Sequence, residues 1–232
     1  DNYGQHTNVF FGRETWTSFW KYEASSGNWT DLSSNIPANQ ATSFDNFNAQ
    51  GGYDLLVKVH PTNPNVVYIG GTNLWRSTDG FTSPNNSMII GGYFIGSTEG
   101  DGNWGVYKNH HPDQHDLLFL PSNDSIMLSA TDGGVFKSYN TFQDTVHWTS
   151  LNNGYYTTQL YGVTISRNAN SNVMHGGFQD NGNFINFSAN PTSHWNMPFN
   201  GDGCFAGIAD NEEDFYLTIQ RGVMYKMKLD TN

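Results

Sequence analysis

Two aspartates are the residues of this sequence best suited to acid–base chemistry. Asp132 and Asp180 each follow a short apolar run, and they are separated by about 40 to 50 residues, a period typical of repeat proteins. An inverting glycosidase needs two carboxyl groups about 6.5 to 9.5 Å apart, one protonated as the acid and one ionised to activate water. If loops of neighbouring repeats meet, this pair predicts such a catalytic site. Alternatively, each aspartate caps its own hairpin turn through bonds to backbone N–H groups.

Two further segments contain metal-ligand residue types. The run HHPDQHD at residues 110–116 offers imidazoles and carboxylates, but a structural zinc site normally combines two separated ligand pairs. No second pair is obvious, so we assign no zinc ligands. Glu99, Asp101 and Asn103 form an oxygen-rich, glycine-rich loop that is a weak calcium candidate, because Ca²⁺ accepts six to eight oxygen ligands. The loop lacks the ligand order of an EF-hand, and a solvated loop is the alternative.

Aromatic residues make up 15% of the chain. A ring with an exposed face can stack on a sugar, while neighbouring polar groups bind the sugar hydroxyls. Trp104, Tyr155 and Tyr156 fall in predicted loops, and we predict that they form a binding surface. Trp75 and Phe136 occupy equivalent strand positions and are predicted to be core residues.

The elements that would position these side chains recur along the chain. The segments NVVYIGGTNLWRS at 65–77 and SIMLSATDGGVFKS at 125–138 share a β-branched strand, a Gly-rich turn and an apolar-basic-Ser step. Weaker copies occupy 172–184 and 214–226. Short apolar runs precede the copies, and units of about 40 to 50 residues are typical of β-propeller blades. The sequence therefore predicts an all-β chain of about five blades, with an insertion between Ser83 and His115.

The repeats also predict domain boundaries. We expect a single partial propeller that is a segment of a larger one, although a self-contained five-bladed ring is the alternative. The predicted parts are the end of one blade with a connecting loop at 1–51, a blade with the insertion at 52–114, blades at 115–160 and 161–202, and the start of a blade at 203–232.

Two turns of the repeat have a recognisable pattern. Ser77 and Asp79 precede a glycine, and Ser138 is followed ten residues later by Trp148. These residues resemble the Asp-box, or bacterial neuraminidase repeat, whose pattern is Ser-x-Asp-x-Gly-x-x-Trp. The match is partial, because Gly80 comes one place early and Asn140 replaces the aspartate in the second turn. In that family the motif is structural, which implies that these four residues tie down turns.

The glycine-rich segments 133–136 and 177–182, taken with the turns, resemble sortilin-type and xyloglucanase-type propellers of proteins secreted by Bacteroidetes-like bacteria. The segment 131–134 resembles the stretch that carries a catalytic aspartate in xyloglucanases, except that Gly133 follows Asp132 directly. Those enzymes place acid and base across a cleft between two propellers, and one segment cannot supply both walls. His115 and Asp116 resemble an Asp-x-His segment before the inner strand, which implies that they bind axial loops.

Composition excludes several kinds of partner. The net charge is −11 with only 10 Lys and Arg residues, so no basic stripe is available to bind nucleic acid. No apolar run reaches the length of about 18 residues that a membrane-spanning helix needs. Cys204 is the single cysteine, and its apolar neighbours predict a buried free thiol. The first residues do not form a signal peptide.

The sequence therefore leaves three functional hypotheses. The first is a secreted or cell-surface, non-catalytic propeller module that binds a glycan or a protein. The alternatives are an inverting glycoside hydrolase of the xyloglucanase type and a structural repeat region of a large adhesin. No cofactor is predicted apart from calcium at the candidate loop of Glu99, Asp101 and Asn103. The resemblance implies export by the type nine route, with outer-membrane export machinery and the rest of a larger parent chain as partners.

Overall fold

The computed structural model describes residues 18–37, 46–93, 107–155 and 158–228. Five residues singled out from the sequence lie outside these ranges. They are the aromatic candidates Trp104 and Tyr156 and the calcium candidates Glu99, Asp101 and Asn103.

The described residues form an all-β fold, which confirms the predicted class. In chain order the strands are β1 (Trp20–Glu23), β2 (Asn28–Asp31), β3 (Leu56–Val59), β4 (Val67–Gly70), β5 (Leu74–Ser77), β6 (Ser87–Gly91), β7 (Gln114–Leu120), β8 (Asn123–Thr131), β9 (Gly134–Ser138), β10 (Trp148–Ser150), β11 (Gly162–Ile165), β12 (Met174–Phe178), β13 (Gly182–Asn186), β14 (Asn196–Phe199), β15 (Ala206–Ile208), β16 (Asp214–Thr218) and β17 (Met224–Lys228). Short 3-10 turns cover Ser33–Asn35, Gln50–Gly52 and Gln220–Gly222.

The strands pair into five antiparallel sheets in which neighbours are consecutive in the chain. The sheets are β1–β2, β3–β6, β7–β10, β11–β14 and β15–β17. Up-and-down sheets of up to four strands are the building blocks of β-propellers. Among the described residues there is no helix that would span a membrane.

The chain divides into two compact units, residues 1–155 and 156–232. Unit 1 contains β1 to β10 and has the larger core, built on the two fully buried strands β4 and β5. Trp75 and Phe136 belong to this core.

The basic position of the repeat has different roles in the two copies. Arg76 is buried, and its guanidinium donates hydrogen bonds to the backbone carbonyls of Thr141 and Gln143. These bonds offset the cost of burying the charge. Lys137, its counterpart in β9, lies 4.4 Å from the ring centroid of Tyr139, so the second copy keeps its charge near the surface.

The serine turns also differ. The Ser77 hydroxyl donates to the Asp79 carboxylate over 2.8 Å and accepts the Phe81 N–H over 2.8 Å. Although burial acts to raise it, hydrogen bonds donated by Asn86 and Ser77 lower the pKa of Asp79 to about 2. In the second turn the Ser138 hydroxyl is buried and has no hydrogen-bond partner among the residues that the structure describes. Trp148 is buried, and its indole N–H donates to the Ile90 carbonyl over 2.7 Å.

Unit 2 contains β11 to β17 and a small core of Val173, Ile185 and Phe215. His175 lies fully buried, with an edge-on ring contact to Phe215. Burial lowers the pKa of His175 to about 4, so this imidazole is neutral at physiological pH and behaves as a core side chain.

Candidate functional site

Unit 1 gathers three carboxyl groups around the beginnings of β3 and β7. Asp54 precedes β3, Asp113 precedes β7, and Asp132 follows β8. We call Asp54, Asp113 and Asp132, together with Gln50, the acidic cluster. The antiparallel pairing of β7 with β8 places Gln114 opposite Thr131, which brings the residues on either side of this pair to the same edge of the sheet.

Gln50 connects two of these carboxylates. Its side-chain N–H group donates to Asp54 over 3.1 Å and also to Asp113. The 3-10 turn that carries Gln50 is held in the left-handed region, with φ of 45° at Gln50 and 67° at Gly51. This turn brings the amide back over Asp54, so a single amide binds both acids.

Two acids of the cluster, Asp54 and Asp113, have raised pKa values. Burial, followed by the negative charge of Asp113 and a hydrogen bond with it, raises the pKa of Asp54 to about 8. Burial and the charge of Asp132 raise the pKa of Asp113 as well. Because two adjacent buried carboxylates repel each other, Asp54 retains a proton at neutral pH.

Asp132, the first catalytic candidate, is bound by two side chains of its own unit. His115 contacts it through Nε2, and the Tyr53 hydroxyl donates to it over 3.1 Å. The Tyr53 and His115 rings meet edge-on with centroids 5.3 Å apart. Burial and the charge of Asp132 raise the pKa of Tyr53 to about 12, so its hydroxyl remains a donor. The structure thus joins two residues, His115 and Asp132, that the sequence assigned separately.

The remaining unit 1 candidates lie apart from these contacts. Asp116 is exposed and forms an ion pair with Lys58 at 3.7 Å. Tyr155 is 56% exposed, and its backbone N–H donates to the Asn152 carbonyl. His110 is buried and binds the Gly92 N–H and the Ser129 hydroxyl through its two ring nitrogens, so its role in this structure is to hold strands together.

Asp180, the second catalytic candidate, belongs to unit 2. It lies in the turn between β12 and β13 with φ of 57°, and its N–H donates to the Asp202 carboxylate over 2.9 Å. Asp132 and Asp180 therefore belong to different units. Their proposed partnership as acid and base stays a prediction.

Unit 2 contains an open cavity of about 290 Å³, which we call the unit 2 cleft. Its lining residues combine aromatic rings with amides and one carboxylate: Tyr161, Gln179, Asp202, Cys204, Phe205 and Gln220. Phe205 is 67% exposed and Tyr161 53% exposed. The Tyr161 hydroxyl donates to the side-chain carbonyl of Gln179, which orients the amide N–H₂ of Gln179 away from that bond.

Close backbone packing builds the cleft wall. A Cβ on Gly177 would lie 2.0 Å from the Cys204 carbonyl oxygen, so only glycine allows β12 to approach the segment before β15. The prediction of a buried Cys204 is wrong, because the thiol is partly exposed and lines the cleft. Burial, and then the charge of Asp202, raises the pKa of this thiol, which keeps it neutral.

The sequence did not identify the other cleft residues. They come from three separate places in the chain: Gln179 from the β12–β13 turn, Asp202 and Phe205 from the segment between β14 and β15, and Gln220 from the 3-10 turn before β17. No spacing rule connects these positions. The available signal is the glycine pattern, because Gly177 and Gly203 mark places where two segments approach closely.

Comparisons with known proteins do not assign this chain to a family. No protein-family model matches the sequence, and no curated protein matches it. The described residues of the chain form an all-β protein with five antiparallel sheets. Similar solved structures include a GH74 xyloglucanase from Xanthomonas campestris, with 15% sequence identity, a TM-score of 0.46, and coverage of 91% of this chain and 37% of that one. A GH74 enzyme from Niastella koreensis is also similar, with 12% identity, a TM-score of 0.40, and coverage of 91% of this chain and 36% of that one. The chain thus spans little more than a third of each structure's length.

Proposed function

We propose that this chain is a non-catalytic glycan-binding module that binds through the unit 2 cleft. The observation that carries the proposal is the lining of one cavity by two exposed aromatic rings, Phe205 and Tyr161, together with the polar side chains of Gln179, Asp202 and Gln220. An aromatic face supplies apolar contact for a sugar ring, and a few placed polar groups fix its orientation.

The polar groups of the cleft suit hydroxyl-rich ligands. A sugar hydroxyl both donates and accepts, so it can donate to the Asp202 carboxylate and accept from the Gln179 or Gln220 amide. The lining residues that the structure describes include no Lys or Arg. Because a carboxylate repels another carboxylate at short range, we expect neutral glycans to bind in preference to uronic acid polymers.

The glycosidase alternative has weaker support. Among the described lining residues of the cleft, Asp202 is the single carboxylate, whereas an inverting mechanism uses two. In the acidic cluster Asp54 has the raised pKa of a general acid. Its side chain is fully buried, however, so it cannot reach a glycosidic oxygen.

The setting of this module is part of the proposal. Glycan polymers are extracellular ligands, and the low content of charged side chains, 13%, together with the resemblance to secreted propellers, supports an extracellular or cell-surface location. The alternative ligand for the same cleft is a protein. Failure of the chain to bind any glycan in the test below would favour this alternative.

The proposal is tested by isothermal titration calorimetry with neutral β-glucan oligosaccharides against two matched variants. Phe205→Ala removes an aromatic ring of the cleft, and Trp29→Ala removes a ring on β2 that is similarly exposed, 64% against 67%. We expect Phe205→Ala to weaken binding about tenfold, or about 1.4 kcal/mol, and Trp29→Ala to leave it unchanged. Absence of glycan binding, or loss caused by Trp29→Ala alone, would contradict the proposal.

A further inference from the structure

The turn beside the unit 2 cleft contains an asparagine held against the backbone nitrogen that follows it. Asn200 precedes Gly201, and the Gly201 N–H donates to the side-chain carbonyl of Asn200 over 2.8 Å. Both residues are exposed. A Cβ placed on Gly201 would meet no atom within 4 Å, so the space beside this glycine is open.

We propose that Asn200 is a site of spontaneous deamidation and isoaspartate formation. The Gly201 nitrogen attacks the Asn200 side-chain carbon and loses its proton, so that an N–C bond forms and the bond to the amide nitrogen breaks. Ammonia leaves, and a cyclic succinimide remains. Water then opens the succinimide at either carbonyl, which gives aspartate or isoaspartate. Reacting atoms that are already close and free to align react faster, because less orientation entropy is lost.

The chain supplies internal comparisons, because two other asparagines precede glycine. At Asn181 the nucleophile is engaged, since the Gly182 N–H donates to the Gly201 carbonyl over 2.7 Å. The Asn181 amide N–H₂ also donates to the Gln179 carbonyl over 2.9 Å. Asn153 precedes Gly154 in an exposed turn with open space, and its side-chain carbonyl is not held on the glycine nitrogen in the described contacts. The predicted order is therefore Asn200 first and Asn181 last.

The reaction would alter the wall of the cleft. The turn that contains Asn200 is joined to the β12–β13 hairpin by three hydrogen bonds: Gly182 N–H to Gly201, Gly203 N–H to Phe178, and Asp180 N–H to Asp202. An isoaspartate at position 200 inserts a methylene into the backbone immediately before Gly201. We expect this insertion to displace Asp202 from its bond with Asp180.

The test is to incubate the full chain in mildly alkaline buffer, digest it, and measure the acid product and isoaspartate at each of the three sites by mass spectrometry and isoaspartate methyltransferase labelling. In the folded chain, conversion at Asn200 should run about tenfold ahead of Asn181, and also ahead of Asn153. In the urea-unfolded chain, the rates at the three sites should converge. Asn200→Gln is the matched control, because it keeps an amide but removes the five-membered ring closure, and it should abolish product at that peptide.

Two results would overturn the inference. One is conversion at Asn200 no faster than at Asn181 in the folded chain. The other is the same order of rates in the unfolded chain, which would assign the difference to neighbouring residues in the sequence and not to the held geometry. Neither result depends on whether the cleft binds a glycan.

Discussion

The acidic cluster of unit 1 and the cleft of unit 2 differ in what their polar groups bind. In the cluster, Gln50 binds two carboxylates, while Tyr53 and His115 bind the third. In the cleft, large aromatic faces are exposed beside amides that face an open cavity. The cluster contains more residues of the types that act in catalysis, but their carboxylates already bind other side chains of the protein. Residue type alone therefore does not mark a binding site, and the exposure of the groups matters as much.

The largest effect is expected at the glycine that closes the cleft wall. Gly177→Ala would place a Cβ 2.0 Å from the Cys204 carbonyl oxygen, and backbone atoms cannot yield as a flexible side chain does. We predict a loss of about 3 kcal/mol in the free energy of unfolding, measured by urea denaturation, together with loss of glycan binding.

Gly207→Ala in β15 is the matched control for this change. The nearest atom to its added Cβ would be 3.6 Å away on Tyr216, an ordinary contact. Its free energy of unfolding should change by less than about 1 kcal/mol. Equal effects of the two substitutions would mean that close approach at Gly177 does not build the wall.

The next effect is expected at Asp54, where a substitution should change the pH dependence of stability but not glycan binding. The folded-state pKa of Asp54 is raised from 3.8 to about 8, so its contribution to stability is complete below about pH 4 and is lost as pH rises through about 8. Between these pH values the unfolded chain releases a proton that the folded chain keeps. The free energy of unfolding therefore falls by about 1.4 kcal/mol per pH unit for one proton. Asp54→Asn should flatten this slope, as measured by urea denaturation at several pH values, and should leave glycan affinity unchanged.

Asp116→Asn is the control for Asp54→Asn, because Asp116 is exposed and pairs only weakly with Lys58 at 3.7 Å. Its pH profile should match that of the unmodified protein. If Asp54→Asn left the profile intact, the raised pKa would not belong to this residue. If it abolished glycan binding, the distinction between the cluster and the cleft would fail.

A smaller effect is expected on ligand selectivity. Asp202→Asn removes the carboxylate of the cleft and keeps an oxygen that accepts the Asp180 N–H. We predict that binding of oligogalacturonates, measured by calorimetry at low salt, strengthens about tenfold because like-charge repulsion is removed. Neutral oligosaccharides should bind within about threefold of their original affinity.

Asp210→Asn is the control for selectivity, since Asp210 is an exposed unit 2 carboxylate in a long contact of 3.9 Å with Arg167. It lowers the net negative charge by the same amount. An equal gain in oligogalacturonate binding by both variants would show that overall charge, and not the cleft carboxylate, sets the preference.

Much of the fold followed from local patterns in the sequence. The β-branched run ending at Gly70 becomes β4, and the apolar-basic-Ser step becomes β5, because alternating side chains and turn glycines determine where strands form and stop. The predicted core positions of Trp75 and Phe136 follow from their equivalent places in the repeats. These are short-range signals within one hairpin.

The sites depend on contacts between distant segments, for which one sequence has no comparable signal. Tyr53 binds Asp132 across two sheets, and Gln179 lines a cavity with Gln220. Cys204 is the clearest case in which a local sequence pattern gave the wrong environment. Its apolar neighbour Phe205 predicted burial, yet Phe205 is itself exposed at the cleft, so a local apolar pattern did not distinguish a core strand from a binding surface.

Glycan binding at the unit 2 cleft is tested directly by a ¹H–¹⁵N NMR titration of the full chain with a neutral β-glucan oligosaccharide. We predict that the amide signals of Gly177, Gln179 and Phe205 shift with ligand concentration, while those of Asp54 and Asp132 stay in place. Shifts confined to Asp54, Asp113 and Asp132 would transfer the binding site to the acidic cluster. Absence of any shift would contradict the glycan-binding function itself.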